Sequence, residues 1–65
     1  MNVNALKAEI VRNGYTQETT AKKIGVSRTT FYRKMKSGDF GIDEAKRLID
    51  LLNIQDPAHI FFDTD

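Results

Sequence analysis

Apolar positions along the chain fall at helical rather than alternating spacing, and the punctuation between them is dense. Val3, Leu6 and Ile10, with Val11 beside Ile10, predict an amphipathic helix over residues 3–13, capped by Asn2 and closed by Gly14. Thr16 is an N-cap for a second helix from Gln17 to Ile24, whose inward positions are Thr20, Ala21 and Ile24. Gly25 stops it, because glycine takes a positive φ without steric cost. Ser27 opens a third helix over residues 28–36, with Phe31 and Met35 at i, i+4 spacing as its buried edge. Ser37, Gly38 and Asp39 make a break, and Gly41 begins a fourth helix. Its stripe of Ile42, Ala45, Leu48, Ile49 and Leu52 is read as core, and Asp43 and Glu44 complement the dipole of its first turn. Asp56-Pro57 is a cap followed by a first-turn proline, which predicts a last short helix through Phe62. Five helices with short connections make an all-α fold, and 65 residues make one domain, with no repeat, low-complexity tract or linker.

Composition narrows this further. A chain of this length buries only about 60% of the surface its unfolded form exposes, so its stability is expected to be modest. With no cysteine, neither a disulfide framework nor a thiolate zinc site is expected, and the one histidine, His59, makes no metal site alone. No apolar run reaches the roughly 20 residues that span a bilayer, and no basic start precedes an apolar stretch. The expectation is a cytoplasmic, nucleoid-associated protein with no membrane contact. Net charge is only +1, but residues 1–16 carry +1, residues 17–36 carry +5 and residues 37–65 carry −5. A basic middle of this kind is the footprint of a phosphate-binding surface, and two solvated faces of opposite sign would leave the same pattern.

The segment QETTAKKIGVSRTTFYRKMK, residues 17–36, concentrates the functional signal. Two short helices joined by a tight glycine turn cross steeply, so the first needs a small residue at the closest approach, and Ala21 supplies it. Ile24 and Val26 flank the turn, while Phe31 and Met35 anchor the following helix to a shared core. Thr29, Arg33 and Lys36 then fall opposite that core, with Arg28 exposed at the helix start. Arginine bonds bidentately to guanine O6 and N7, and threonine offers a hydroxyl and a methyl suited to thymine. Backbone N–H groups near Gln17 and Ser27, at helix starts, are aimed as a phosphate requires.

These residues resemble the helix-turn-helix of the phage repressor and Cro family, the XRE-like regulators. The resemblance is carried by Gln17, Ala21, Gly25, Val26, Ser27 and Phe31, and continues through IDEAKRLIDLLN as the packing helix after the motif. It implies a compact five-helix, lambda-repressor-like all-α domain with a central helix-turn-helix. It also implies that Gln17 binds a phosphate, that Arg28 and Thr29 meet base edges, and that Arg33 reaches further along the groove. Lys36 and the backbone near Ser37 would touch phosphates beyond it. Members bind pseudo-palindromic operators as dimers. Thr20 stands where that family usually has an aliphatic residue, and Asp39 lies in a loop that is often basic in relatives. No separate dimerising domain is expected after the fifth helix, so a homodimer is expected to form through the small domain itself, with Ile60, Phe61 and Phe62 as its contact.

Other positions read more plainly. Lys22 and Lys23 are solvated, Lys34 is open between solvation and phosphate contact, and His59 is a surface or half-buried side chain. Tyr32 either lies along the sugar-phosphate backbone or covers apolar surface, and Ile60 to Phe62 form either a core plug or a dimer contact. The expected function is a sequence-specific transcriptional regulator of Cro-like repressor type, acting on double-stranded DNA without a cofactor or small-molecule ligand. The alternative is a small antirepressor-like module that keeps the fold and binds another regulator. An enzyme is not expected, since no nucleophile–base pair, metal cluster or phosphate-binding glycine loop is present.

Overall fold

A computed structural model describes residues 1–62; Asp63 and Asp65, counted in the acidic segment, lie outside the described residues. The described residues form five helices: α1 Val3–Arg12, α2 Gln17–Ile24, α3 Arg28–Ser37, α4 Ile42–Leu52 and α5 Pro57–Phe61. No strand occurs among them, as the all-α expectation requires. Helix starts are set by local side chains that satisfy the first N–H groups. The Asn2 side chain accepts the Ala5 N–H at 3.0 Å, and the Asp56 carboxylate accepts the His59 N–H at 3.3 Å. Three C-terminal ends differ by one residue from the periodicity, α5 closing at Phe61 rather than Phe62. α1 stops at Arg12 because the Asn13 side-chain amide donates to Glu9 O at 2.8 Å and across to Leu52 O at 2.9 Å. α3 continues to Ser37 and ends at Gly38.

The second helix is the hub, packing on α1, α3 and α4, while α1 also packs on α5. Between them lie Leu6, Ile10, Ala21, Ile24, Phe31, Met35, Leu48, Leu52, Ile54 and Ile60, all buried. Phe31 is wholly enclosed and meets Phe40 with ring centroids 5.5 Å apart, tilted by 58°. Thr20 is also fully buried, and its hydroxyl donates to Thr16 O at 2.8 Å. A threonine therefore serves at this aliphatic position without leaving a polar group unsatisfied.

Packing corrects the apolar pattern at two places. Ile42 stands in the stripe expected to be core but is 77% exposed, because it lies on the side of α4 that lines an open groove. In that stripe only Leu48 and Leu52 are buried, with Ala45 and Ile49 half-buried. Val11 is 74% exposed, since α1 turns Leu6 and Ile10 inward and its next position faces out. Ile54, in the loop after α4, enters the core instead.

Long-range hydrogen bonds at helix ends fix how the elements sit. Arg12 Nη2 donates to Leu52 O at 2.9 Å, so Arg12 and Asn13 together satisfy the carbonyl at the end of α4. The Asn2 N–H reaches Ile60 O at 2.7 Å and ties the chain start to α5. No helix among the described residues is long and apolar enough to cross a membrane.

Candidate nucleic-acid interface

The turn between α2 and α3 is built from two caps and one left-handed residue. Thr16 Oγ1 accepts the Thr19 N–H at 3.1 Å, and Thr19 Oγ1 accepts the Thr16 N–H at 2.9 Å, a reciprocal box that starts α2. At its other end Gly25 has φ +83°, a value that favours glycine. The Val26 N–H reaches Ala21 O at 3.0 Å and the Gly25 N–H reaches Lys22 O at 3.3 Å, which closes the helix in a Schellman turn. Arg47 adds a clamp from α4, donating from Nη1 to Ile24 O at 3.1 Å. Ser27 then starts α3: its hydroxyl oxygen accepts the Thr30 N–H at 3.1 Å and donates to Thr30 Oγ1 at 2.9 Å. The Ser27 side chain is thus committed to the cap of α3.

From the buried Phe31, about 100° per residue places Thr29, Arg33 and Lys36 roughly 160°, 200° and 140° around α3. Arg28, Thr29, Arg33 and Lys36 are all exposed, the last three on the side of the helix away from Phe31 and Arg28 at the helix start, about 60° from Phe31. Ten residues make α3 about 15 Å long. Gln17 is half-buried at the start of α2, and Tyr32 is 42% exposed on the flank of α3. The seven residues expected to meet DNA thus lie on the two helices of the motif and the cap between them.

Three basic side chains have partners that periodicity could not assign. Lys34, left open between solvation and phosphate contact, pairs with Glu44 at 2.6 Å and faces α4. Lys23 Nζ lies 5.6 Å over the Tyr15 ring, which covers that ring. Arg28 Nη1 is 3.9 Å from Glu18 Oε2, and its Cζ lies 5.5 Å from the Tyr32 ring centroid. The side chains that sequence reasoning passed over are Arg47, Thr19 and Glu18; of these only Thr19 carried a local signal, three residues after a threonine cap.

Away from the motif, the three tail residues separate. Ile60 is buried with the core, Phe61 packs partly against it, and Phe62 is 75% exposed. Of these three, Ile60 acts as the core plug, and Phe62 with the open edge of Phe61 is what stays exposed. Among the described residues, no group of three or more His, Cys, Asp or Glu side chains is placed to hold a metal ion.

Comparison with known proteins places this architecture. No curated protein and no solved structure matches the chain. The family described as Bacterial regulatory protein, Fis family, matches residues 4–37, just over half the chain. That span takes in all of α1 but Val3, together with α2 and α3, and so contains the caps of α2 and α3, the glycine turn and the exposed side of α3. The match is to the Fis family, and supports a helix-turn-helix DNA-binding domain without extending to the phage Cro type. With a helix-turn-helix laid out in this way and the family match running through it, the chain belongs to the Fis family of bacterial regulatory proteins, as a helix-turn-helix DNA-binding transcription regulator.

Proposed function

We propose that this chain reads a specific DNA sequence by laying α3 in the major groove. The observation that carries the reading is the exposed run of Thr29, Arg33 and Lys36 on the outer side of α3, with Arg28 exposed at its first residue and Phe31 and Met35 holding the other side in the core. Arg28, Thr29 and Arg33 meet base edges. Gln17, the Ser27 N–H, Tyr32 and Lys36 grip the flanking phosphates. The protein acts as a repressor, a homodimer on a pseudo-palindromic operator, in the manner of phage Cro-type regulators. Motif residues Gln17, Ala21, Gly25 and Phe31, followed by α4 as a packing helix, support that type. The two copies meet through Phe62 and the exposed edge of Phe61.

Selection from a random duplex pool at near-physiological salt tests this directly. A two-fold-symmetric motif with half-sites about one helical turn apart is the expected result. Enrichment of a single half-site would remove the dimer, and no enrichment would remove sequence-specific reading.

A different observation favours a second reading, in which the fold binds another regulator. Met1, Phe40, Ile42, Ile49, Phe61 and Phe62 line an apolar surface groove of about 290 Å³ on the side formed by α4 and α5. Exposed apolar surface of this kind marks an interaction site. In that case Ile42→Ser and Phe62→Ser abolish activity while Arg33→Ala leaves it intact.

A further inference from the structure

Glu18 is the one acidic side chain within the basic segment 17–36. It projects from the first turn of α2 toward the first residue of α3, where its Oε2 lies 3.9 Å from Arg28 Nη1. On its other side the Arg28 guanidinium lies over the Tyr32 ring, 5.5 Å from the centroid and one helical turn further along. Arg28 is thus bracketed by a carboxylate from one helix of the motif and an aromatic ring from the other. Glu18 and Arg28 keep 57% and 62% of their side-chain surface exposed, so contacts of this strength do little for folding.

Their effect falls on recognition instead. A guanidinium carries five donors in a rigid planar fork, so a carboxylate that attracts one edge from 3.9 Å biases the direction in which the other points. Bidentate bonding to guanine needs that fork in one plane, and a side chain already restricted loses less rotamer entropy when it docks. The carboxylate also opposes any arrangement in which Arg28 simply grips a phosphate, because it would then face the phosphate itself. We infer that Glu18 is a positioning residue that sets base specificity through Arg28. It trades sequence-independent affinity for discrimination at the base pair Arg28 reads. The inference rests on the reading that α3 enters the major groove.

The test uses the full chain on two duplexes, the selected site and a random sequence, with single-base variants of the selected site. Binding of the unaltered chain comes first: no preference there overturns the groove reading itself, and this inference with it. Arg28→Ala identifies the base pair concerned as the one where discrimination is lost. Glu18→Gln is then expected to bind the random duplex roughly two- to five-fold tighter and to lose discrimination at that pair by a similar factor. Thermal stability should be unchanged, and in the Arg28→Ala background the Glu18→Gln change should no longer move discrimination. Equal tightening on every duplex with discrimination intact would overturn the inference, leaving Glu18 a bulk charge. So would a discrimination effect that survives without Arg28.

Discussion

The Lys34 ammonium lies 2.6 and 2.7 Å from the two carboxylate oxygens of Glu44. The same carboxylate accepts the Gly41 N–H at 2.9 Å, so one side chain caps α4 and fastens it to α3 across the intervening loop. Both partners are largely shielded, at 24% and 16% side-chain exposure. The helix that carries Arg28, Thr29 and Arg33 is therefore held from its inner flank by a charge pair as well as by Phe31 and Met35.

This pair makes stability depend on acid pH. The Lys34 hydrogen bond, then the Gly41 N–H, hold the Glu44 carboxyl below its ordinary value of 4.5, with burial opposing them. Folding therefore favours the ionised form, and the contribution is fully present above the unfolded-chain value. It is lost as pH falls through the depressed folded value. Glu44→Gln should cost about 1–2 kcal/mol at neutral pH and flatten that part of the acid limb. Thermal melts of both chains from pH 2 to 7 check this, and parallel acid limbs would count against it.

Replacing Gly25 with alanine isolates backbone strain at the turn. A Cβ there meets nothing closer than Arg47 Nη1 at 3.9 Å, so the cost comes from φ +83° and not from a clash. The expected loss is about 1 kcal/mol, a fall of roughly 4–8 °C in Tm for a domain of this size. Urea denaturation at constant m gives the value.

Leu48 and Ile42 lie on the same helix and should behave oppositely. Leu48 is fully enclosed, and Leu48→Ala should cost about 2–5 kcal/mol, enough to unfold much of a small domain. Ile42→Ser, at a position 77% exposed, should change stability by no more than about 0.5 kcal/mol. Circular-dichroism melts of the two variants make the comparison.

On the recognition side, Arg33→Ala should weaken binding to the selected site by about 1–3 kcal/mol and relax preference at one base pair. Lys36→Ala should weaken every duplex alike and reduce the slope of log K against log salt by about 0.9. Titrations at several salt concentrations separate the two. Uniform loss on all sequences for Arg33→Ala would move that residue to the phosphate set.

Much of the architecture was legible in the chain because its causes are local. Thr16 and Ser27 bond to residues three positions on, Gly25 accepts a left-handed backbone by itself, and Phe31 and Met35 share a face through helical periodicity alone. The motif and its exposed side could therefore be drawn from residues 17–36 without knowledge of what surrounds them. Periodicity states which residues share a face, but not how far the neighbouring helix extends to cover it. Ile42 stands in the apolar stripe and stays exposed, while Ile54, in a loop, is buried. Partners of long charged side chains depend on the same packing. Lys34 met Glu44 ten positions away, Arg47 reached Ile24 O across 23, and Arg12 reached Leu52 O across 40. Spacing along one helix says nothing of such pairs, because the gap that each side chain must span is set only when the helices pack. Tertiary structure thus decided which cations stay exposed on α3 and which are spent holding the helices together.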